Sequence, residues 1–191
     1  MDTDREPSRR GHVVWINGAF GAGKTTVARR LAQAVPGAVI VDPEEVGSIL
    51  RQALQPVSPV HDFQEWAAWR ELVAATLNAV VHQLPETGPR MVIVPQTITD
   101  EAYWSQITAS LDPEFQVTAI ALHVDRDEHR RRVLEDTDEP GALRWRLGKF
   151  EHFREATWVR AAFTGIETSA LTPAEVVDKL YAALGSEQAS S

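Results

Sequence analysis

The chain contains no cysteine. Disulfides, thiolate zinc sites and a cysteine nucleophile are thereby excluded, and a reducing, cytoplasmic setting is expected. Lysine is almost as scarce: Lys24, Lys149 and Lys179 stand against sixteen arginines. Composition bias accounts for most of that imbalance, so a lysine at a specific position calls for a reason. Positive charge is not in surplus either. The formal net charge is -8, which argues against a binder of phosphate backbones, so no nucleic-acid partner is expected. No apolar run exceeds strand length, which excludes a membrane-spanning helix. Residues 1–11 mix acids and arginines without an apolar stretch and do not read as a signal peptide.

What is present suits one domain. The 191 residues are 43% hydrophobic, enough to bury a core without staples. Polar ends at 1–11 and 186–191 read as disordered tails around a single domain at 12–185. Strand-like runs at 12–17, 38–41, 90–94, 115–124 and 164–168 alternate with helical segments at 25–35, 44–54, 62–83, 100–111, 125–135 and 142–163, and a closing helix begins at Thr172-Pro173. Five strands separated by helices imply an α/β fold, a three-layer sandwich with a five-stranded parallel sheet between helices. Ligands bind at the carboxyl ends of such strands.

At the first of those ends stands Gly18-Ala19-Phe20-Gly21-Ala22-Gly23-Lys24-Thr25, a match to G-x-x-x-x-G-K-[ST] followed by Thr26. A chain of this composition would contain such a match by chance about once in a thousand. Its glycines let backbone N–H groups turn inward around phosphate oxygens, and the helix N-terminus adds free donors. Lys24 is expected to reach the β- and γ-phosphates of ATP or GTP, and Thr25 to hold Mg²⁺.

Val14 to Thr25, then Asp42-Pro43-Glu44 with Gly47, Asp62-Phe63-Gln64, Trp69-Arg70, Val92 to Pro95 with Thr97-Ile98, and Trp145 together resemble the tunicamycin-resistance ATP-binding protein family. The resemblance spans about residues 13–180 and extends well beyond the generic loop. It implies a P-loop small-molecule kinase fold with strand order 2-3-1-4-5, related to the chloramphenicol and capuramycin phosphotransferases. It also implies a nucleotide partner, a small-molecule acceptor and a clamping role for Arg132. Where that family carries an Arg-x-Arg run beyond this arginine, the chain has Leu134-Glu135-Asp136. Arg144 and Arg146, beside Pro140-Gly141, are candidates to replace it. The third strand ends in Pro95-Gln96 without an acidic residue, leaving metal binding to Thr25 and water, with Asp42 as a further candidate.

Asp42 directly follows the second strand, at the same sheet edge as the loop. It is the first choice for the carboxylate that takes the acceptor's proton, and equally a cap for the helix at Pro43; Glu44 is the second choice. Eight of the nineteen basic residues fall within 126–154, read as a helical lid, but seven acids share the segment, so most of them pair along helices. Phe63, Gln64, Trp69 and Arg70 are candidates for the acceptor pocket, although tryptophans at this spacing are as readily core. Gln96 sits at the sheet edge where it can meet acceptor or water. Glu167-Thr168-Ser169 reads either as a contact for the nucleotide base or as a strand end. The scattered histidines have no metal-ligand spacing.

The expected activity is transfer of the γ-phosphoryl group to a hydroxyl of a nucleoside-type antibiotic, tunicamycin- or capuramycin-like, conferring resistance. A nucleotide-dependent drug-binding protein and a housekeeping small-molecule kinase are the alternatives. Peripheral contact with a membrane is left open but has no basic amphipathic anchor to support it; monomer and homodimer both stay open.

Overall fold

A computed structural model describes residues 10–135 and 143–188, with side chains through 135 and again over 148–185. Five parallel strands, β1 (His12–Gly18), β2 (Val39–Ile40), β3 (Met91–Pro95), β4 (Gln116–His123) and β5 (Thr164–Glu167), form one sheet. Their order is β2-β3-β1-β4-β5, as the family resemblance implied. β1 lies at the centre. Val13 and Val14 pair with Val92 and Ile93 of β3 on one side and with Val117 and Thr118 of β4 on the other. All seven residues of β1 are buried, the expected consequence of neighbours on both edges and helices on both faces. The strand order reverses around β1, so the loop leaving it stands at the sheet's switch point.

The helices are α1 (Lys24–Ala34), α2 (Pro43–Leu54), α3 (Ala67–Gln83), α4 (Glu101–Ala109), α5 (Arg126–Glu135), α6 (Leu143–Glu155), α7 (Val159–Ala162) and α8 (Pro173–Gln188). α1 packs on α8, while α3 packs on α2 and α4. Leu31, Trp69, Leu77, Ile107 and Leu180, all fully buried, carry these helices into the core. At about 25 cal/mol per Å² of apolar surface, such burial is the main force closing the layers.

Four sequence expectations are corrected. The second strand is two residues long rather than 38–41, and Ile40 is exposed, because β2 is an edge strand paired only with β3. The helix expected over 62–83 is broken. Asp62 caps a 3₁₀ turn at Phe63–Glu65 through a capping box, and Trp66 is extended before α3 starts. The Trp66 indole donates to Ser58 O at 2.9 Å, fixing that bend. The helix expected over 142–163 likewise divides into α6 and α7, with the Trp158 indole bonded to Thr99 O. At the ends, Gly11 is buried, its carbonyl accepting from Gln116 N, and α8 continues to Gln188.

Candidate active site

Gly18 to Thr25 connects β1 to α1. Gly21 (φ 81°) and Gly23 (φ 94°) hold left-handed backbone that side chains rarely adopt. A Cβ on Gly21 would also come within 2.9 Å of Val133. Gly23 is the N-cap of α1 and supplies no side-chain cap, so the first N–H groups of α1 remain for an anion. The Lys24 ammonium donates to Gly18 O and Ala19 O, each at 3.1 Å. Burial lowers its pKa to about 8, against the opposing charges of Glu44 and then Asp42. Both carboxylates therefore act on the lysine of the loop. Thr25 and Thr26, at the start of α1, are exposed.

Several residues that the sequence reading did not single out fix this loop. Asn17 is completely buried; its Oδ1 accepts from Gly18 N (2.9 Å) and Ile98 N (3.0 Å), and its Nδ2 donates to Ile98 O (2.9 Å). The Thr97 hydroxyl donates to Gly18 O at 2.7 Å. From the other side, His129 of α5 bonds Phe20 O at 2.6 Å and stacks on Phe150 of α6. A carbonyl partner requires that Nε2 carry the proton. Burial lowers the His129 pKa, so the ring is held neutral. A buried asparagine closing an apolar strand was the available signal for Asn17. Nothing in the sequence marked His129 apart from the other histidines.

Asp42 caps α2, its Oδ1 accepting from Glu44 N at 3.0 Å, with Pro43 opening the helix. Glu44 lines a cavity of about 400 Å³ beside the loop, whose wall includes Phe20, Arg51, Phe63, Gln64 and Gln96. Lys149 of α6 reaches across to Asp62, Nζ to Oδ2 at 2.8 Å, and lines the cavity too. The Gln64 amide donates to Thr97 O at 2.9 Å. Two expected pocket residues stand elsewhere. Trp69 is wholly buried, its indole donating to Pro43 O at 3.0 Å and its ring 5.3 Å from that of Phe63. It supports the pocket from within the core, because its position on α3 faces α2. Arg70 stands behind Gln64, donating to Gln64 O and Gln106 Oε1 and lying 4.3 Å from the centre of the Tyr103 ring.

On the far side of the loop, Arg132 donates to Glu128 Oε1 (2.7 Å) and to Thr168 O (2.9 Å). Hydrogen bonds from Arg131 and Arg132 hold the Glu128 carboxyl down to about 2. Arg132, Thr168, Pro173 and Gly21 to Gly23 line a second hollow of about 360 Å³. The Arg144, Trp145 and Arg146 side chains, and Pro140-Gly141, lie outside the described residues.

A parallel sheet of this order, with a glycine-rich loop and its lysine at the switch point, defines a P-loop kinase-like nucleotide-binding protein. Residues 13–141 match the family model described as an AAA domain, and the chain belongs to that family. Among solved structures it is similar to the tunicamycin resistance protein of Deinococcus radiodurans, with 26% identity, a TM-score of 0.67, and coverage of 92% of this chain and 96% of that one. A sugar kinase from Janibacter sp. HTCC2649 is 19% identical, with a TM-score of 0.63 and coverage of 92% and 95%. A gluconokinase from Sinorhizobium meliloti 1021 is 16% identical, with a TM-score of 0.64 and coverage of 93% of both chains. These two likenesses show the shared fold. No curated protein matches significantly. Among the described residues no helix is long and apolar enough to cross a membrane.

Proposed function

We propose that the protein is a small-molecule phosphotransferase that moves the γ-phosphoryl group of ATP or GTP to a hydroxyl held in the cavity beside the loop. One observation carries this reading: a polar-walled cavity adjoins the phosphate loop, with Phe20 of the loop and Glu44 both in its wall. Backbone N–H groups of 18–25 cradle the phosphates, Lys24 meets the β- and γ-phosphates, and the hollow at Arg132 and Thr168 receives the base. Thr25, exposed where α1 begins, is the residue that would hold a magnesium ion through its hydroxyl. When bound, that ion neutralises phosphate charge.

The acceptor oxygen attacks the γ-phosphorus in line, the bond to the β-γ bridging oxygen breaks, and a carboxylate takes the hydroxyl proton. We assign that carboxylate to Glu44, reversing the order favoured by sequence. Glu44 lines the cavity and acts on Lys24 more strongly than Asp42, which commits Oδ1 to capping. The likeness to a tunicamycin resistance protein favours a nucleoside-type antibiotic as acceptor, tunicamycin- or capuramycin-like, with resistance as the outcome. Nucleotide-dependent sequestration without transfer is the second reading, favoured by Gln96 standing where β3 could have offered an acid.

Incubation with γ-labelled ATP and a panel of tunicamycin, capuramycin, gluconate and shikimate, read by mass spectrometry, tests the proposal. A gain of one phosphoryl group is expected on one member; tight binding without product supports sequestration. Glu44→Gln should lower kcat by about 10²–10⁴ with nucleotide affinity retained. Asp42→Asn keeps a capping side chain and should cost less. Near-full turnover by Glu44→Gln refutes the assigned base.

A further inference from the structure

Gln96 directly follows β3 and is only 3% exposed. Its main chain is fully engaged: the N–H donates to Ile16 O at 3.1 Å, and the carbonyl accepts from the Trp15 indole at 3.1 Å. Its side chain is half engaged. Nε2 donates to Thr97 O at 3.0 Å, whereas Oε1 is buried and meets no hydrogen-bond donor among the described residues. Turning the amide over does not relieve this. Oε1 would then oppose Thr97 O, which already accepts from Gln64 Nε2 at 2.9 Å, and two acceptors would face each other. The network therefore fixes the amide's orientation and leaves an unmet buried acceptor on a residue that lines the cavity. A buried polar atom without a partner is costly, and native proteins seldom retain one without a use.

The wall's charges do not supply what is missing. Lys149 is drawn to Asp62 and Arg51 lies over the Phe63 ring, so both cations face other groups. Among the described residues, Arg51 and Lys149 are also matched in number by Glu44 and Asp62, so the described lining is formally neutral in these charges.

We propose that Gln96 is a specificity-determining residue: the cavity takes a neutral molecule carrying a hydrogen-bond donor apart from the hydroxyl that is phosphorylated, and Gln96 Oε1 receives that donor. The donor is an imide N–H of a base or a further hydroxyl of a sugar. This rests on the cavity being the acceptor site. Selection works by penalty, because an otherwise similar molecule without the donor leaves Oε1 buried and unmet, a discrimination on the order of tenfold or more.

Two matched sets separate the sources. Uridine against 3-methyluridine removes an imide N–H, and glucose against its mono-O-methyl ethers removes one hydroxyl at a time. Dissociation constants are measured by calorimetry on the full chain and on Gln96→Met, of similar length but without the acceptor. The wild type should lose about tenfold or more on methylation in one set. Gln96→Met should bind the two members nearly alike, with ATP affinity unchanged. The added methyl's bulk penalises both proteins, so the coupling between substitution and methylation is the quantity read. Should methionine disturb the loop, Gln96→Glu serves: burial favours its protonated form, which keeps a donor toward Thr97 O, and donor binding should recover as pH falls.

An undiminished methylation penalty in Gln96→Met, unchanged affinities that mark Oε1 as the site of a bound water only, or no binding by any probe overturns the assignment. Probes that bind with the expected coupling but receive no phosphoryl group refute the transferase reading alone. Transfer with no coupling refutes the role of Gln96 alone.

Discussion

Asn17 provides the sharpest test of how the phosphate loop is held. Its side chain joins Gly18 N, Ile98 N and Ile98 O in a site with no solvent access. Asn17→Leu preserves bulk and leaves three backbone groups unmet. A buried unsatisfied group costs about 1–3 kcal/mol, and three that share one side chain should together cost roughly 3–5 kcal/mol. For a domain of this size each kcal/mol lowers Tm by about 2–4 °C, so a fall on the order of 10 °C is expected by calorimetry. The loop should loosen as well, since Gly18 would keep only the Thr97 hydroxyl as a tie from the β3 side. ATP affinity, measured at a temperature where the variant is folded, should fall by about tenfold or more. Asn17→Asp retains both accepting functions but opposes a carboxylate oxygen to Ile98 O, and should lie between the two. A Tm within about 3 °C of wild type for Asn17→Leu, the worth of one ordinary hydrogen bond, refutes the reasoning.

His129 and His123 both have pKa values lowered mainly by burial, so the unfolded chain binds protons that the native state refuses. Stability should be fully present above about pH 6.5 and fall as pH drops below it, ahead of the carboxylate transitions of Asp112, Asp125, Glu128 and Glu175. His129→Gln, which can still donate to Phe20 O, should flatten part of that slope in urea titrations at pH 5–7; an unchanged slope counts against a buried neutral ring. Lys24, with its pKa at about 8, should lose its charge as pH rises. ATP affinity should therefore weaken by about tenfold between pH 7 and 9, and Lys24→Met should abolish that dependence along with most of the affinity. Trp69→Phe removes the bond to Pro43 O from a closed core and should lower Tm by several degrees. Acceptor KM should change less than about threefold; a large KM effect with Tm intact would restore the exposed-platform reading.

The loop and the capping role of Asp42 were legible because each rests on local chemistry, whereas the strand order came only through the family resemblance. Gly23-Lys24-Thr25 needs only its neighbours, and Asp42-Pro43 needs only the helix it opens. The acceptor side was less legible. Phe63, Trp66 and Trp69 recur at helical spacing, yet their backbone bends, since the Trp66 indole answers to Ser58, a partner that no period reveals. Trp69 and Arg70 were expected in the acceptor pocket, but Trp69 is wholly buried and Arg70 stands behind Gln64. Which of two adjacent helix positions turns to the core and which braces Gln64 is decided by α2 and Tyr103. Gln96 was visible at its sheet edge, but its unmet oxygen depends on the amide of Gln64, thirty-two residues away in the chain.

Thr97 is where the two halves of the site become one piece. Its hydroxyl grips the loop at Gly18, and its carbonyl gathers the amides of Gln64 and Gln96. A protein engineer seeking to redirect this scaffold toward another alcohol would therefore gain little by replacing Thr97, whose hydroxyl is tied directly to the phosphate loop. The freer canvas is the outer rim at Ser48, Arg51 and His61, whose side chains are exposed and can be exchanged while the hinge between the halves stays as it is.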